Sequence, residues 1–555
     1  MRLVCTVSVV VALGLVMACG GGGGGSAENT ETANSPPSQV EAEPTRIELL
    51  DSSPTEGSPA IDSNLSTLNF SHLVQTDLNT ELVGNCRNFN GATLRRNLQD
   101  LSTGETDEVL DHHVTCFLDE NSNYRFDAEG TGNNDDRYRA TLSFATSIQS
   151  ERAITVQDSI TSPKETINDF FSAYVEGALL TDIEAPAFVD SLLVDLINEL
   201  VEDEWENLTD PAAHYDVISE RVTYSSRTPS GEPSDSLSGL ISRPVVDDNF
   251  IQKDHFIILT HATGSTPSEL NSSDAWYILA NLFAARGYLV VAADNYGRGS
   301  TGTEEETYLL ANQTSYNTLD LARQVLEDRN YSDTYDGQNA SVIGYSQGGH
   351  TAIAVWLMSE LQEIDRPSIV EVHAGGAPYN LYKTVRGVLS HLNGSCDDDV
   401  FCRYVDEATT VPFATNRIIP ALLSYTETGF FLNDILINGA FETSFISGFL
   451  NNEIEYDSMK SLLQLNSFTD INNLEEIVNA NVKIHLYHSE FDRLVPAANT
   501  AELVSVLEAA MTVDHHQSRC NSAGYEAIFN LTDRVGLIHT LCGLSVLNDV
   551  LGDLR

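Results

Sequence analysis

Residues 340 to 349 read Ala-Ser-Val-Ile-Gly-Tyr-Ser-Gln-Gly-Gly, an apolar run that breaks into Gly344-Tyr345-Ser346-Gln347-Gly348. This pattern is typical of a strand that turns sharply into a helix and exposes a serine hydroxyl, with small neighbours leaving room for the turn. Residues 351–361 are helix formers without Gly or Pro, as this geometry requires. The stretch predicts Ser346 as a nucleophile; the alternative is an ordinary tight turn between a strand and a helix.

A serine nucleophile of this kind needs an acid and a histidine, in that order along the chain. Residues 482–488 are typical of a late strand, and the loop after it carries Asp492, our predicted acid, with Glu490 as the alternative. Three histidines follow: His515, His516 and His539. We predict His539, close to the C-terminus, as the general base, and the alternative is that it is a packed core histidine.

Four segments of the chain resemble conserved segments of one protein family. They are Gly-Tyr-Ser-Gln-Gly-Gly-His at 344–350, residues 287–297, Ala-Pro-Tyr-Asn-Leu at 377–381 and the loop 492–496. From about residue 216 to the end, roughly three fifths of the chain, the sequence resembles an α/β-hydrolase of the bacterial secreted lipase/esterase type. The resemblance implies a Ser-His-Asp triad that hydrolyses a small-molecule or lipid ester, with no metal and no organic cofactor.

Hydrolysis through such a triad also needs N–H donors for the negative oxygen of the tetrahedral intermediate. The resemblance assigns one to Gln347, the residue after the nucleophile, and the other to the loop His261-Ala262-Thr263-Gly264. Relatives usually carry His-Gly at the first two positions of this loop, so Ala262 is a departure. Either Ala262 or Thr263 is expected to present its amide.

Hydrophobic patterning independently supports an α/β architecture. Short apolar runs at 256–260, 288–292, 342–343 and 483–487 are typical of buried parallel strands. Between them, a helical pattern begins after a serine cap at Ser273 and ends at Gly287. This alternation predicts a doubly wound, mostly parallel sheet.

An insertion at about 380–480 departs from this rhythm and is predicted to form a helical cap over the serine. It is rich in aromatic residues, which could line an apolar substrate pocket, pack the cap's own helices, or do both. They are Phe401, Tyr404, Phe413, Tyr425, Phe430, Phe431, Phe441, Phe445 and Phe449.

The N-terminus indicates export. Residues 1–18 combine Arg2 with an apolar stretch typical of a signal peptide, and Val-Met-Ala-Cys at 16–19 resembles a bacterial lipobox with Cys19 as the acylated residue. A Gly, Ser and Pro-rich tether over 19–45 follows. Because Gly20 and not Asp follows the cysteine, the resemblance implies an outer-membrane lipoprotein of the bacterial cell envelope, held to the membrane by its lipid anchor. The alternative is an ordinary secretory signal with a chance cysteine.

The remaining cysteines suit an oxidising compartment. Without Cys5 in the signal and Cys19, six of the eight remain, and they fall as local couples in three regions. We expect three disulfides: Cys86–Cys116, Cys396–Cys402 and Cys520–Cys542.

Residues 46–160 alternate in hydrophobicity, are rich in turn residues and predict a small all-β domain whose opening weakly resembles bacterial Ig-like domains. Within it, the acidic and amide residues from Asp119 to Asp127 have the alternate spacing of a calcium loop. However, Tyr124 and Gly130 replace the glycine and the glutamate that such a loop needs, so a polar turn is the alternative. Residues 161–215 are predicted to be a helical connector, and residues 216–555 the catalytic domain.

The chain carries 81 acidic and 29 basic residues, a formal charge of −52. Such a charge argues against binding to nucleic acid. Two alternatives to an esterase stay open at this point. One is a peptidase or amidase on the same fold, and the other is a non-catalytic cell-surface binding protein whose β domain carries the function.

Overall fold

The computed structural model describes residues 44–169 and 213–553, apart from short gaps. The gaps are 54–56, 62–66, 74–78, 85–86, 100–105, 118–122, 132–136, 147–153, 168, 232, 249, 362–363, 365, 397–398, 426–429, 470, 472–473 and 532–534. The predicted signal peptide, Cys19, nearly all of the tether and most of the helical connector lie outside the described residues. So do Cys86 and the side chain of Cys116, the first expected disulfide.

The N-terminal region is all-β, as predicted, and has two sheets. One has the order β1-β9-β8-β5 with β3 also on β9, and the other has the order β2-β4-β7-β6. Alternate residues of the strands, such as Leu68, Phe126 and Leu142, are buried in a common core. The strands are β1 Thr45–Ile47, β2 Leu49–Ser53, β3 Ser58–Ile61, β4 Thr67–Leu73, β5 Asn79–Gly84, β6 Arg87–Gln99, β7 Thr106–Phe117, β8 Asn123–Thr131 and β9 Arg137–Thr146.

The second half of the calcium-like spacing lies on strand β8. There Asp127 accepts hydrogen bonds from Nε of Arg125 at 3.0 Å and from the hydroxyl of Thr141 at 2.7 Å. Its carboxylate is therefore used within the sheet.

A nine-stranded sheet forms the centre of the rest of the chain, in the order β10-β11-β12-β14-β13-β15-β16-β19-β20. The pairings from β10 to β14 are antiparallel and all later pairings are parallel, which confirms the mostly parallel doubly wound sheet. Every residue of β13 and β14 is buried, because helices cover both faces. The strands are β10 Thr155–Ser162, β11 Val217–Arg227, β12 Pro233–Pro244, β13 Phe256–Thr260, β14 Val290–Ala293, β15 Asn339–Tyr345, β16 Ser368–Gly375, β19 Lys483–Tyr487 and β20 Val513–His515.

One strand lies across our predicted boundary between the β domain and the connector at residue 160. Thr155–Ser162 pairs with β11 and forms the edge of the nine-stranded sheet. All of its residues except Ser162 are exposed, so its side-chain pattern does not tell which sheet the strand joins.

Helices flank this sheet and build the cap. They are α1 Ala275–Ala284, α2 Ala311–Glu327, α3 Gln347–Leu361, α4 Leu381–Leu392, α5 Thr410–Phe413, α6 Ile419–Tyr425, α7 Leu432–Ile435, α8 Thr443–Leu450, α9 Asp457–Leu465, α10 Leu474–Ile477, α11 Ala498–Leu507, α12 Ala523–Leu531 and α13 Leu537–Asp553. A π-helical turn, Ala414–Ile418, joins α5 to α6, and a two-stranded ribbon, β17 Leu436–Ile437 and β18 Ala440–Phe441, lies within the cap. Single 3₁₀ turns lie at Pro267–Glu269, Gly299–Thr301, Arg329–Tyr331 and Ile454–Tyr456.

Helix α1 shows how local chemistry sets a boundary. We predicted a serine cap at Ser273, which was wrong by one residue: the carboxylate of Asp274 accepts the N–H groups of Trp276 and Tyr277 at 2.9 and 3.2 Å. A carboxylate at this position satisfies free amides and favours the positive end of the helix dipole. The helix then buries Phe283 fully against one face of the sheet.

Two cores cover the sheet and a third fills the cap. Trp356 of α3 is fully buried on one face, and Val550 of α13 on the other. In the cap, Phe445 and Phe449 are buried among the cap's own helices. Of the nine aromatic residues predicted to line a pocket or pack the cap, only Phe413 lines the cavities at Ser346, so most of them serve the packing of the cap.

Candidate active site

Ser346 lies at the turn between strand β15 and helix α3, with a left-handed φ of 58°. Such a conformation is strained for a residue other than glycine and persists only where its surroundings enforce it. Gly344, Gly348 and Gly349 allow the backbone around Ser346 to pack closely. A Cβ on Gly344 would collide with the carbonyl of Gly348, and one on Gly349 would lie 2.6 Å from the carbonyl oxygen of Gly375.

His539 and Asp492 form a buried pair. Nδ1 of His539, on helix α13, lies 2.6 Å from Oδ2 of Asp492, in the loop after β19. The other oxygen of Asp492 accepts the backbone N–H groups of Leu494 and Val495 at 2.8 and 3.0 Å. Burial alone would raise the pKa of Asp492, but the charges and hydrogen bonds of His539 and His488 outweigh it and hold the pKa well below its usual range. The pair therefore keeps an ionised carboxylate on one nitrogen of the imidazole.

His488, the first residue after β19, holds the turn that carries Asp492. Its Nε2 donates to the carbonyl of Val495 at 2.9 Å, so Nδ1 accepts from the hydroxyl of Thr500 at 2.7 Å. The same Nε2 lies 3.5 Å from Oδ2 of Asp492. His488 thus braces both ends of the turn that presents the acid.

Other acidic and histidine residues of the chain lie in other places. The side chain of Glu490 is exposed. His515 ends strand β20 and His516 follows it, and both are partly buried at the sheet edge. His350 is fully buried on α3 and donates Nε2–H to the carbonyl of Asn466 at 2.9 Å, which is a structural role.

Ser346 and His539 line one cavity of about 460 Å³. Nε2 of His539 is buried and has no hydrogen-bond partner among the residues that the structure describes. Since Nδ1 is held by Asp492, the lone pair of Nε2 is available for the proton of a hydroxyl in this cavity. The other lining residues are Ala262, Thr263, Gly264, Ser265, Ser273, Asp274, Ala275, Trp276, Leu279, Tyr345, Phe413, Leu494, Thr540, Gly543, Leu544 and Leu547.

A smaller cavity of about 40 Å³ adjoins the other side of Ser346. It lies against helix α4 of the cap, through Val385 and Val388. Ser346, Phe413 and Leu494 line both cavities. The serine therefore has apolar space on two sides, with Phe413 and Leu494 between them.

The residues predicted to supply the oxyanion donors border the serine or its cavity. Gln347 is the first residue of α3, and the first N–H groups of a helix have no partner within it. Ala262 and Thr263 both line the larger cavity, so the choice between their amides stays open. The ring of His261 shapes this loop: Nε2 accepts the N–H of Asn295 at 3.3 Å, and Nδ1 donates to the carbonyl of Ala262 at 3.1 Å.

Sequence reasoning missed several residues that position these groups. The side chain of Gln347 donates to Oε1 of Glu306 at 2.8 Å, and Arg417 of the cap binds the other oxygen of Glu306 at 2.8 Å. The hydroxyl of Tyr308 lies 2.9 Å from that of Thr263. These polar residues lie in distant segments of the chain and share no sequence pattern by which the network could have been found.

Two disulfides are formed among the described residues. Cys520 and Cys542 are bonded with their Cα atoms 5.2 Å apart, and Cys396 and Cys402 are bonded within the cap with Cα atoms 5.5 Å apart. Cys542 lies on α13, one turn after His539. These bonds indicate an oxidising compartment.

In the part of the chain that the structure describes, no helix has the length and apolar character needed to cross a membrane.

A family model matches part of the chain, and several solved structures are similar to it. Residues 257–362 match the family model described as the alpha/beta hydrolase fold. Among solved structures, a putative hydrolase from Legionella pneumophila is similar at 18% identity, covering 73% of this chain and 98% of its own, with a TM-score of 0.46. The rice cell wall degrading esterase LipA from Xanthomonas oryzae is similar at 16% identity, covering 72% of this chain and 99% of its own, with a TM-score of 0.46. An acylaminoacyl peptidase from Pyrococcus horikoshii is similar at 12% identity, covering 59% and 46%, with a TM-score of 0.28. No curated protein matches the chain.

Proposed function

We propose that this chain, which has the α/β-hydrolase fold, is a serine hydrolase that cleaves carboxylic esters through an acyl-enzyme. One observation carries the proposal. The imidazole of His539 is held at Nδ1 by the buried Asp492 at 2.6 Å, its Nε2 has no hydrogen-bond partner among the described residues, and His539 lines the same cavity as Ser346. A nucleophile, a base and an orienting acid in this relation are the parts that acyl transfer requires.

The reaction follows from these positions. Ser346 attacks the ester carbonyl as Nε2 of His539 takes its proton, and Asp492 supports the positive charge that forms on the imidazole. The N–H of Gln347, with that of Ala262 or Thr263, stabilises the oxyanion, and such donors are worth about 3 to 4 kcal/mol each. His539 then gives the proton to the leaving alcohol, and a water molecule, activated in the same way, releases the acid and frees Ser346.

The walls of the cavities favour an apolar acyl or alcohol group. Leu279, Leu544 and Leu547 line the larger cavity, and Val385 and Val388 line the smaller one. An ester binds such walls without leaving a buried polar group unpaired, because it has no N–H to satisfy. We therefore expect esters to be better substrates than amides.

Active-site labelling tests the proposal. A fluorophosphonate should form an adduct on Ser346, because that hydroxyl is activated by a base and faces the oxyanion donors. The Ser346→Ala variant serves as the matched control and should take up no label. A wild-type chain that is folded but unlabelled would support a non-catalytic binding protein instead.

A panel of p-nitrophenyl esters with short to long acyl chains, together with an aminoacyl anilide, then identifies the substrate class. We expect turnover of the esters and little or none of the anilide. Faster cleavage of the anilide than of every ester would replace the esterase by an amidase.

We also propose that the chain is an outer-membrane lipoprotein acylated at Cys19. The lipobox-like segment at 16–19 supports this proposal, and the two disulfides fit an oxidising compartment. Cys19→Ala should take up no palmitate label and should leave the membrane fraction. Continued labelling of that variant would show that Cys19 is not the acylated residue.

A further inference from the structure

Three potential metal ligands meet at the edge of the sheet, away from the triad. They are His485 on β19, and Asp514 and His516 on and just after β20. Nδ1 of His485 lies 3.0 Å from Nε2 of His516, and Oδ2 of Asp514 lies 3.8 Å and 3.6 Å from these two nitrogens. The three atoms thus form a triangle with nearly equal sides.

The size of this triangle matches a zinc site. Zinc binds histidine nitrogen and carboxylate oxygen at about 2.0 to 2.2 Å in tetrahedral geometry, which places neighbouring ligand atoms about 3.3 to 3.5 Å apart. The observed separations of 3.0, 3.6 and 3.8 Å surround that value. An ion above the triangle would reach all three ligands with only small shifts of the side chains.

Each histidine also has a carboxylate at its outer nitrogen. Nε2 of His485 lies 3.3 Å from Oε1 of Glu371, and Nδ1 of His516 lies 3.9 Å from Oδ2 of Asp549. Metal-bound histidines almost always direct their second nitrogen to such a partner, which fixes the tautomer and strengthens the ligand. Glu371 is within hydrogen-bond distance of its histidine, whereas Asp549 is farther away and also binds Nε of Arg519 at 2.8 Å.

The inner nitrogens of the two histidines, Nδ1 of His485 and Nε2 of His516, face each other. Nδ1 of His485 and Nε2 of His516 lie 3.0 Å apart, which is hydrogen-bond distance, and either ring could be the donor. A metal ion would replace the shared proton and bind the lone pairs of both nitrogens. A cation is further favoured by Asp514 and by the net charge of −52 of the chain.

The rings are rigid and the site is open to solvent. His485 stacks on His373 with ring centroids 4.5 Å apart and planes 7° apart, and His516 stacks on Tyr487 at 4.4 Å and 11°. The side chain of Asp514 is 64% exposed, whereas that of His485 is 11% exposed. An ion could therefore approach from the Asp514 side and keep a water molecule as its fourth ligand.

We propose that His485, Asp514 and His516 bind a divalent transition-metal ion, best represented by Zn²⁺. Imidazole with one carboxylate suits zinc, whereas Mg²⁺ prefers a set of oxygen ligands. The ion would join β20 to β19, the strand that leads directly to the turn bearing Asp492. Its role is to stabilise this edge of the sheet, and it takes no part in ester hydrolysis.

Calorimetric titration of the full chain, stripped with a chelator and dialysed, tests the site. Zn²⁺ should bind in a one-to-one ratio, Co²⁺ should give the visible absorption of a tetrahedral complex, and Mg²⁺ should not bind. His516→Gln and Asp514→Asn should each weaken Zn²⁺ binding at least roughly tenfold, and Glu371→Gln roughly tenfold or more through loss of the outer partner. Because the readout is binding, it does not depend on whether the chain is an esterase.

His515→Gln is the matched control, since it removes the neighbouring histidine of the same strand without touching the three ligands. It should bind Zn²⁺ like the wild type. Melting curves without metal should show that the variants fold. If His516→Gln does not fold, Asp514→Asn still tests the site, because the side chain of Asp514 is exposed. A wild-type chain that binds no Zn²⁺, or equal binding by Asp514→Asn and the wild type, would overturn the proposal.

Discussion

The phenolic hydroxyl of Tyr345 donates a hydrogen bond of 2.7 Å to the backbone carbonyl of His539. Their rings also pack with centroids 5.0 Å apart, and Gly376, at a φ of 58°, lies so close that a Cβ there would be 2.6 Å from the Tyr345 ring and 3.0 Å from the imidazole. The residue immediately before the nucleophile thus holds the residue proposed as its base. The position of His539 relative to Ser346 depends on this contact as well as on Asp492.

Removal of this hydroxyl should affect turnover more than folding. We expect Tyr345→Phe to lower kcat for a p-nitrophenyl ester roughly tenfold, because a small displacement of the imidazole is costly in a positioned reaction. The variant should lose only about 1 kcal/mol of stability, the net value of one hydrogen bond. Steady-state kinetics and denaturant unfolding check this, and an unchanged kcat would show that the contact does not position His539.

The triad should behave as one unit. Ser346→Ala and His539→Ala should each lower kcat by about 10⁶, and Asp492→Asn by about 10⁴, while the fold is retained. The double variant Ser346→Ala with His539→Ala should then lose little beyond either single change, because each change already removes the whole nucleophilic route. Losses that multiply in the double variant would contradict a shared mechanism.

His350 should make stability depend on pH. Burial lowers its pKa to about 4 from 6.5. Between these values the unfolded chain binds more protons than the folded one, so stability rises with pH across the window, is complete above about pH 6.5 and declines towards pH 4. This shift corresponds to about 3 kcal/mol.

The His350→Gln variant isolates this contribution, because its amide can still donate to the carbonyl of Asn466. Between pH 7 and 4.5 the unfolding free energy of the wild type should fall more steeply with falling pH than that of the variant. Parallel pH dependences would show that His350 is not the group responsible.

The disulfide between Cys520 and Cys542 should stabilise the helix that bears His539. It closes a loop of 22 residues, and a loop of this length is worth about 3 kcal/mol in the chain-entropy model. We expect Cys520→Ser with Cys542→Ser to lower the melting temperature and to reduce esterase activity. Cys396→Ser with Cys402→Ser is the matched control, since its loop of 6 residues should contribute less.

Phe413 should limit the length of the acyl chain, since it lines both cavities at Ser346. Phe413→Ala should join the two spaces and shift the preference in kcat/KM towards longer p-nitrophenyl esters. Phe431→Ala is the control, because Phe431 is in the cap but 79% exposed and lines neither cavity. An identical chain-length profile for wild type and Phe413→Ala would place the limit elsewhere.

Much of the fold could be predicted because its signals are local. The glycines at 344, 348 and 349 are required by close backbone approaches within a few residues of Ser346 or in adjacent strands. The apolar runs Phe256–Leu259 in β13 and Val290–Ala293 in β14 indicate strands buried on both faces. Chain order then selected Asp492 and His539, which the structure brings to within 2.6 Å although 47 residues separate them.

The remaining features depend on contacts between distant segments. The strand Thr155–Ser162 is mostly exposed and carries no pattern that would assign it to one sheet, so its place at the edge of the nine-stranded sheet follows from pairing with β11. The bond from Tyr345 to His539 spans 194 residues, and Glu306 meets Gln347 and Arg417 only once the cap is folded.

The cluster of His485, Asp514 and His516 depends on both the local sequence and the tertiary structure. The sequence by itself determined that His485 lies on a strand and that His515 and His516 follow it, but adjacent histidines point in different directions and no spacing marks a ligand set. Parallel pairing of β19 with β20 decided which of them meets His485, because the register aligns Asp514 with His485 and brings the ring of His516 onto Tyr487. Local sequence determines the turn at Ser346 through sterics, whereas the neighbours of each side chain are decided by the packing of the whole chain.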